Sequence, residues 1–297
     1  MADTSRRLRV KPSALVSRVR TITAHPANAQ HRAASLWRVA RCELRARATG
    51  KPVTVAIGDH SRIAAHLHAG GSWRAVLANP PDWNEMQAWR AHLHRDDLFV
   101  DVGAHAGVYT LWALDLGCAV VAVEPIAELV AQLRANLALN GYPADVRQLA
   151  LAAEPGTMTM SGPDLLRRHL SIGSGDAATD NGSSAAASAT EKGAEVVNVS
   201  TLDTVLGDRV AAGVKIDVEG AERLVLEGGS LALTEKRIGL LQLEWNDCSQ
   251  SLLGETRDPV RVLLRDAGYE LLRPDVNGAL QPTDGAGYGA DLFARPA

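Results

Sequence analysis

The chain has 297 residues, a formal net charge of −3, 46% apolar and 22% charged residues, an ordinary soluble composition that excludes disordered and fibrous chains. It is long enough to bury about three quarters of its unfolded surface, as one large α/β domain with an appendage or as two small domains. Cys42, Cys118 and Cys248 are far apart and form no metal-spaced pair, their odd number fits a reducing compartment without a disulfide framework, and no apolar run reaches the roughly 18 residues of a membrane span.

No secretory h-region opens the chain, so a cytoplasmic location is expected. Residues 1–51 hold twelve Lys/Arg against Asp3 and Glu43, a net +10 that leaves −13 for the rest. Such an arm either meets an anionic partner, nucleic acid or phospholipid, or docks on its own acidic body. From Gln30 to Arg47, Ala33, Leu36, Trp37, Ala40 and Leu44 recur at helical spacing. That spacing predicts an amphipathic helix packed on the domain. Residues 52–76 read as short strands. Val53, Val55 and Ile57 alternate, Gly58-Asp59 turns, and Ile63, Ala65 and Leu67 alternate again before Gly70-Gly71, a β-hairpin. Asn-Pro-Pro followed by an aromatic is the base-amino methylation loop of DNA methyltransferases. Here Asp82 takes the aromatic's place after Asn79-Pro80-Pro81, so the segment reads as a turn before a helix at Trp83–His94. His92 and His94 are expected on its surface rather than on a metal. Residues 1–94 are thus a basic helical and β-hairpin extension, and residues 95–297 the main domain.

The most informative stretch is Leu98–Leu111. A period-2 apolar run ends at Val102, bends at Gly103 and Gly107, and continues at helical spacing, as at the first strand–loop–helix of a Rossmann-like domain. Glu124 lies 21 residues after Gly103, at the end of a second strand, Ala119–Val123, where an acid accepts ribose hydroxyls. The loop lacks a middle glycine and has His105 instead. Asp101 at its mouth would repel a pyrophosphate and attract a cation. S-adenosylmethionine (SAM) has a ribose, an ammonium and a sulfonium but no phosphate, so SAM is favoured over NAD. The plainer alternative is a tight turn closing a structural βα unit.

A helix follows over Ile126–Leu139, capped by Asn140-Gly141. Val146–Leu151 reads as the third strand, bringing Ala150 near an adenine, and Thr157–Met160 as a short strand. Residues 171–195 are a Ser/Gly/Ala-rich flexible loop, either a lid or a plain insertion. After an extended run at Val196–Val199 and a short helix at Thr201–Leu206 comes Val214–Glu222, a strand with Asp217 and Glu219 at its carboxyl end. Leu240–Trp245 ends on Glu244, followed by Asn246 and Asp247. A helix (Pro259–Ala267), a strand (Tyr269–Leu272) and a last strand (Asp291–Ala294) close the chain. The expected sheet is seven-stranded and mostly parallel, with an antiparallel last strand.

Phe99–Gly107, Val123-Glu124-Pro125, Asn136-Leu137 with Leu139-Asn140, Thr201-Leu202-Asp203, Val214–Glu222 with Val225–Gly228, and Leu243-Glu244 follow in the order of the FkbM-type methyltransferases, which the chain resembles over about residues 95–250. The resemblance implies a class I SAM-dependent fold and O-methylation of a hydroxyl on a sugar, polyketide or similar natural product. It implies a cofactor site lined by Asp101, Gly103, Gly107, Glu124 and Asp217. Ala104, His105, Thr110, Pro125 and Ala150 complete the candidate set. His105 stands where the family often has Asn, and residues 171–195 fall where the family varies, so the acceptor does not follow from the resemblance.

Methyl transfer is an in-line displacement at carbon, and an alcohol needs a base within hydrogen-bond reach. Asp217, Glu219, Glu244 and His169 are the candidates, with the three carboxylates preferred because strand ends hold them more rigidly. Glu219 and Glu222 have a competing reading as helix-capping acids after Gly220. Oxygen ligands at Asp217, Glu244 and Asn246 leave a Mg²⁺ variant open, though not favoured. The expected acceptor is a small hydroxylated molecule, and a homo-oligomer remains open. Two other functions compete: a nucleic-acid methyltransferase using the basic arm, and a non-catalytic nucleotide-binding module. The acidic body opposes the first, and carboxylates clustered at strand ends oppose the second.

Overall fold

The computed structural model describes residues 12–67, 70–161, 169–171, 195–248, 250, 254–287, 289 and 291–297. Most of the Ser/Gly/Ala-rich segment expected as a loop, residues 172–194, lies outside them. The basic N-terminal region forms α1 (Pro12–Ala24) and α2 (Arg32–Thr49). Helix α2 does pack on the body, but of the stripe read from its sequence only Leu36 faces it. Ser35, Val39 and Ala46 are buried, whereas Trp37 and Leu44 are 63% and 71% exposed. The covered side is nearly opposite the expected one, because Val39 and Ala46 fit the apolar face of Val53, Ala65, Trp73 and Val76. The hairpin is present as β1 (Val53–Ile57) and β2 (Ser61–Ala65), antiparallel, with Val53 opposite Ala65.

Residues Gly70–Leu77, expected as extended, form helix α3. Trp73, Val76 and Leu77 are at helical spacing, and that period outweighs the Gly70-Gly71 turn signal. The turn at Asn79–Asp82 is followed by α4 (Trp83–His92), two residues shorter than expected. His94 is exposed, while His92 Nε2 lies 3.1 Å from Ala212 O.

The main domain runs β3 (Leu98–Val102), α5 (Val108–Asp115), β4 (Ala119–Val123), α6 (Ala127–Asn140) and β5 (Asp145–Arg147). The expected third strand is broken. Only β5 joins the main sheet; β6 (Ala150–Leu151) pairs instead with β9 (Glu195–Ser200) in a smaller sheet that also holds β7 (Gly156–Ser161) and β8 (His169–Ser171). The bond from Leu149 N to Arg147 O turns the chain out of register at that point.

Next come α7 (Leu202–Leu206), capped by Thr201 Oγ1 on Thr204 N at 3.1 Å, and β10 (Ala211–Ile216), α8 (Glu222–Glu227), α9 (Ser230–Thr234) and β11 (Ile238–Leu243). The chain closes with α10 (Asp258–Asp266), β12 (Tyr269–Pro274), β13 (Leu280–Pro282) and β14 (Leu292–Pro296).

The main sheet has the order β13-β12-β14-β11-β10-β3-β4-β5. Strands β11, β10, β3, β4 and β5 are parallel, and β14 is antiparallel to both β11 and β12. This is the expected mostly parallel sheet with an antiparallel last strand, extended by a short eighth edge strand, β13, that the sequence reading did not anticipate. The chain works outward from β3 to β5 and returns to β10 on the other side of β3. That reversal opens a crevice at the carboxyl ends of β3 and β10.

One face of the sheet packs Val100, Val102, Val214, Ile216 and Leu243 against α7–α10. The other packs Phe99, Leu240 and Phe293 against Trp89, Trp112, Ile57 and Ile63, so the N-terminal hairpin and α4 complete that second core.

Candidate active site

Backbone hydrogen bonds carry three strand ends to one level in the crevice. Asp217 N donates to Val102 O (3.0 Å), and Glu244 N to Ile216 O (3.0 Å). On the other side of β3, Gly103 N and Ala104 N both donate to Val123 O (2.9 and 3.0 Å). Gly103 has φ +78°, and a Cβ on it would stand 1.8 Å from Asp217 O. Only glycine lets the loop after β3 pass that close to the end of β10. Gly103→Ala is expected to destabilise the fold by about 2–3 kcal/mol through the positive φ and the clash. It should also weaken ligand binding in the crevice; chemical denaturation and a ligand titration of the variant would measure both.

Below the crevice, Asp101, Lys215 and Gln242 stand side by side across β3, β10 and β11. All three are at most 4% exposed. Lys215 Nζ lies 2.9 Å from Asp217 Oδ2 and 4.6 Å from the centre of the Tyr109 ring. Burial works against the charge on Lys215, but Asp217 and Asp101 outweigh it and raise its pKa. Burial pushes Asp217 up, yet the Lys215 ammonium, with Arg74, holds its carboxyl below the ordinary value. Asp217 is therefore a carboxylate at neutral pH. Asp101 does not stand at the mouth of the loop as expected. It is 1% exposed behind it, and its Oδ2 accepts from Thr110 Oγ1 at 2.6 Å. Burial raises its pKa.

The crevice holds a chamber of about 550 Å³, a size suited to a nucleoside-sized ligand. Of the residues singled out in the sequence, Gly103, His105, Glu124, Pro125, Ala150, Asp217, Glu219 and Glu244 line it. Asp101, Ala104, Gly107 and Thr110 stand behind its wall and shape the loop. Glu124 Oε2 accepts from His105 N (2.9 Å) and Oε1 from Ile126 N (3.0 Å), leaving further lone pairs toward the chamber. Burial pushes Glu124 up to about 7 and lowers the His105 pKa, so the imidazole is neutral. An apolar wall is made by Ile126, Leu129, Leu149, Leu151 and Met160.

Glu244 is crowded. Burial, with Asp217, Glu219, Glu222 and Asp291 around it, pushes its carboxyl up to about 9. Asp217, Glu219 and Glu244 each offer an oxygen within 4.8 Å of the others, a hard-oxygen donor set of the type divalent cations take. Glu222 does not reach the chamber. It is fully buried, and its Oε1 accepts from Gly220 N (3.1 Å) and Val218 N (3.3 Å) while its Oε2 pairs with Arg257. That is the structural role its position after Gly220 suggested. The side chain of His169 lies outside the described residues.

A second chamber of about 470 Å³ shares Arg74, Asp217 and Glu244 with the first. Tyr109, Lys215, Trp83, Glu85 and Asp291 also line it. The sequence reading missed these residues as site residues. Lys215 was findable, since a lysine inside a strand buried on both faces must have a partner. Arg74, Trp83, Glu85 and Asp291 carried no local signal.

Glu124 and Asp291, both pushed up to about 7 by burial from 4.5 and 3.8, make a pH-dependence prediction. The folded state holds these protons more tightly than the unfolded chain. Their contribution is fully present below the unfolded values and is lost as pH rises through the folded ones. The ligand-free protein is expected to lose stability between about pH 4 and pH 7 from these two groups. Asp291→Asn should flatten that slope in melting temperatures taken across the range.

Residues 101–271 match the methyltransferase FkbM domain. The chain belongs to the FkbM methyltransferase family. It is therefore a SAM-dependent methyltransferase, and its sheet order is that of the class I fold. No curated protein matches it in sequence. Among solved structures it is similar to a methyltransferase from Pyrococcus furiosus, with 12% identity, TM-score 0.39, and coverage of 88% of this chain and 96% of that one. It is similar to the precorrin-6y C5,15-methyltransferase from Geobacter metallireducens, with 13% identity, TM-score 0.37, and coverage of 80% and 94%. It is also similar to the 16S rRNA methyltransferase RsmC from T. thermophilus, with 14% identity, TM-score 0.44, and coverage of 83% and 50%.

The residues of the first chamber fit the cofactor of this methyltransferase family. SAM needs an acceptor for ribose hydroxyls, an apolar slot for adenine and negative charge for its ammonium and sulfonium. Glu124, the Ile126–Leu129–Leu151–Met160 wall and the Asp217–Glu219 pair are of those types. No helix of the described residues is long and apolar enough to cross a membrane.

Proposed function

We propose that this protein is an O-methyltransferase that transfers a methyl group from SAM to a hydroxyl of a small molecule, a sugar or natural-product acceptor. The observation that carries this reading is Asp217, ionised beside Lys215 and lining both chambers at once. SAM supplies an electrophilic methyl on a sulfonium. Everything else is asked of the protein: to hold an acceptor oxygen in line with that methyl and to take its proton as the bond forms.

Asp217 and Glu244 divide this work. Lys215 keeps Asp217 charged, whereas burial keeps Glu244 protonated at neutral pH. Two neighbouring carboxyls with pKa values pushed apart define a base and a neutral hydrogen-bond donor. Asp217 takes the hydroxyl proton, and Glu244 orients the oxygen. Glu219 lines only the first chamber, so its place is beside the cofactor rather than the acceptor. Because Lys215 already balances Asp217, this arrangement works without Mg²⁺. The crowded carboxylates are ill suited to nucleic acid, whose phosphates they would repel.

Two measurements test the reading. Calorimetric titration with S-adenosylhomocysteine (SAH) is expected to give micromolar binding, about −8 kcal/mol. It should be lost in a Glu124→Ala variant. Reaction with isotope-labelled SAM and a panel of hydroxylated metabolites should place the label on oxygen. Label on nitrogen, or on a polynucleotide, would overturn the O-methyl reading.

A further inference from the structure

The second chamber is built from parts of the chain that flank the family domain. The floor it shares with the domain is Tyr109, Lys215, Asp217 and Glu244, all within residues 101–271. Its walls come from outside. Arg74 lies on α3, Trp83 and Glu85 on the first turn of α4, and Asp291 just before β14. Trp83 Nε1 donates to Val276 O at 2.7 Å, which ties the N-terminal wall to the C-terminal one. A cavity closed by two distant segments, and open to the base on one side, is placed to hold an acceptor.

The lining also has a sign. Both of its cations are already engaged, Arg74 with Asp82 and Lys215 with Asp217. Among the described residues no ion pair reaches Glu85, Glu244 or Asp291. Among the described residues, the hydrogen bond to Asp291 Oδ2 comes from a neutral donor, Gln242 Nε2, at 2.6 Å. With Glu244 protonated, Glu85 and Asp291 are the carboxyls left to carry charge in this space, and among the described residues neither has a cation at ion-pair distance. A second positive group entering that space would be paired on arrival, and an anion would meet like charge at short range.

We propose that this chamber is the acceptor subsite and that it selects a hydroxylated acceptor carrying a protonated amine. The inference rests on the reading of Asp217 as the base between the two chambers. Glu85 and Asp291 bind the ammonium and turn the neighbouring hydroxyl toward Asp217. Selectivity then resides in the flanking segments and not in the family domain.

The test uses cofactor analogues in which the sulfonium methyl is replaced by a short alkyl tail, of graded length, ending in an amine, a hydroxyl or a carboxylate. Each is titrated calorimetrically into the full-length protein, with SAH as reference. The amine tail is expected to bind about tenfold tighter than the hydroxyl tail, and the carboxylate tail weakest. A Glu85→Gln, Asp291→Asn double variant should erase that order. SAH occupies only the first chamber and reports that the variant is folded. Equal affinity of the three tails for a protein that binds SAH normally would overturn the subsite and its preference. Failure of SAH itself to bind would overturn the cofactor cleft, and this inference with it.

Discussion

Asp217→Asn is expected to lower the rate of methyl transfer by a factor of about 10²–10⁴, the range ordinarily supplied by a positioned general base. In barrier height that is about 3–5 kcal/mol. Asparagine keeps the shape, the backbone bond to Val102 O, and an oxygen facing Lys215 Nζ. What it removes is the lone pair that takes a proton and the charge that balances a buried ammonium. SAH binding should change far less, by no more than about tenfold, because Glu219 still meets the ammonium and the ribose and adenine contacts lie elsewhere in the first chamber. The discriminating measurement is therefore kcat against the dissociation constant of SAH in the same variant. A kcat within threefold of wild type would remove Asp217 from the chemistry.

Arg257→Met is expected to cost about 3–5 kcal/mol of stability without touching any residue that lines either chamber. Arg257 and Glu222 are 3% and 1% exposed and form a direct ion pair. Arg257 also donates from Nε to Asn246 O (2.9 Å) and from Nη2 to Asn246 Oδ1 (3.0 Å). The pair joins the loop after β10 to the loop after β11, so it fixes where Asp217 and Glu244 stand relative to one another. Removing one partner leaves the other as an uncompensated charge out of water, which is where the large cost arises. Adding Glu222→Gln to Arg257→Met should recover part of the loss, so the double variant is expected to be more stable than the sum of the singles. Urea unfolding of the four proteins measures the coupling. A cost below about 1 kcal/mol would mean that the pair is not what holds the two loops together.

Much of the cofactor side of this site was legible in consecutive residues. The change from period-2 to helical spacing around Gly103 located a strand–loop–helix, and Glu124 fell where the next strand ends. Asp217 and Glu244 were found by one rule, that ligands gather beyond the carboxyl ends of parallel strands. The role given to Asp101 was wrong in geometry. Its distance from the glycines in sequence said nothing about which side of the loop its carboxylate would take. In the structure its carboxylate faces Thr110 on α5 and lies near Lys215. The broken third strand was hidden for a similar reason. Val146–Leu151 is apolar enough to be one strand, and only the partner offered by β9 draws Ala150-Leu151 into a second sheet.

Local periodicity and side-chain chemistry by themselves determined the α/β class, the parallel core, the glycine loop and the row of acids at the strand ends. These are properties of neighbouring residues, and they hold wherever the elements later pack. Tertiary structure alone decided which face of α2 is covered, since the stripe at residues 33, 36, 37, 40 and 44 and the one at residues 35, 39, 42 and 46 both recur at helical spacing until Val53, Ala65, Trp73 and Val76 select one. It alone decided the second chamber as well. Arg74, Trp83, Glu85 and Asp291 are distant in sequence, and their shared charge balance exists only once α3, α4 and the end of the chain close over β10 and β11.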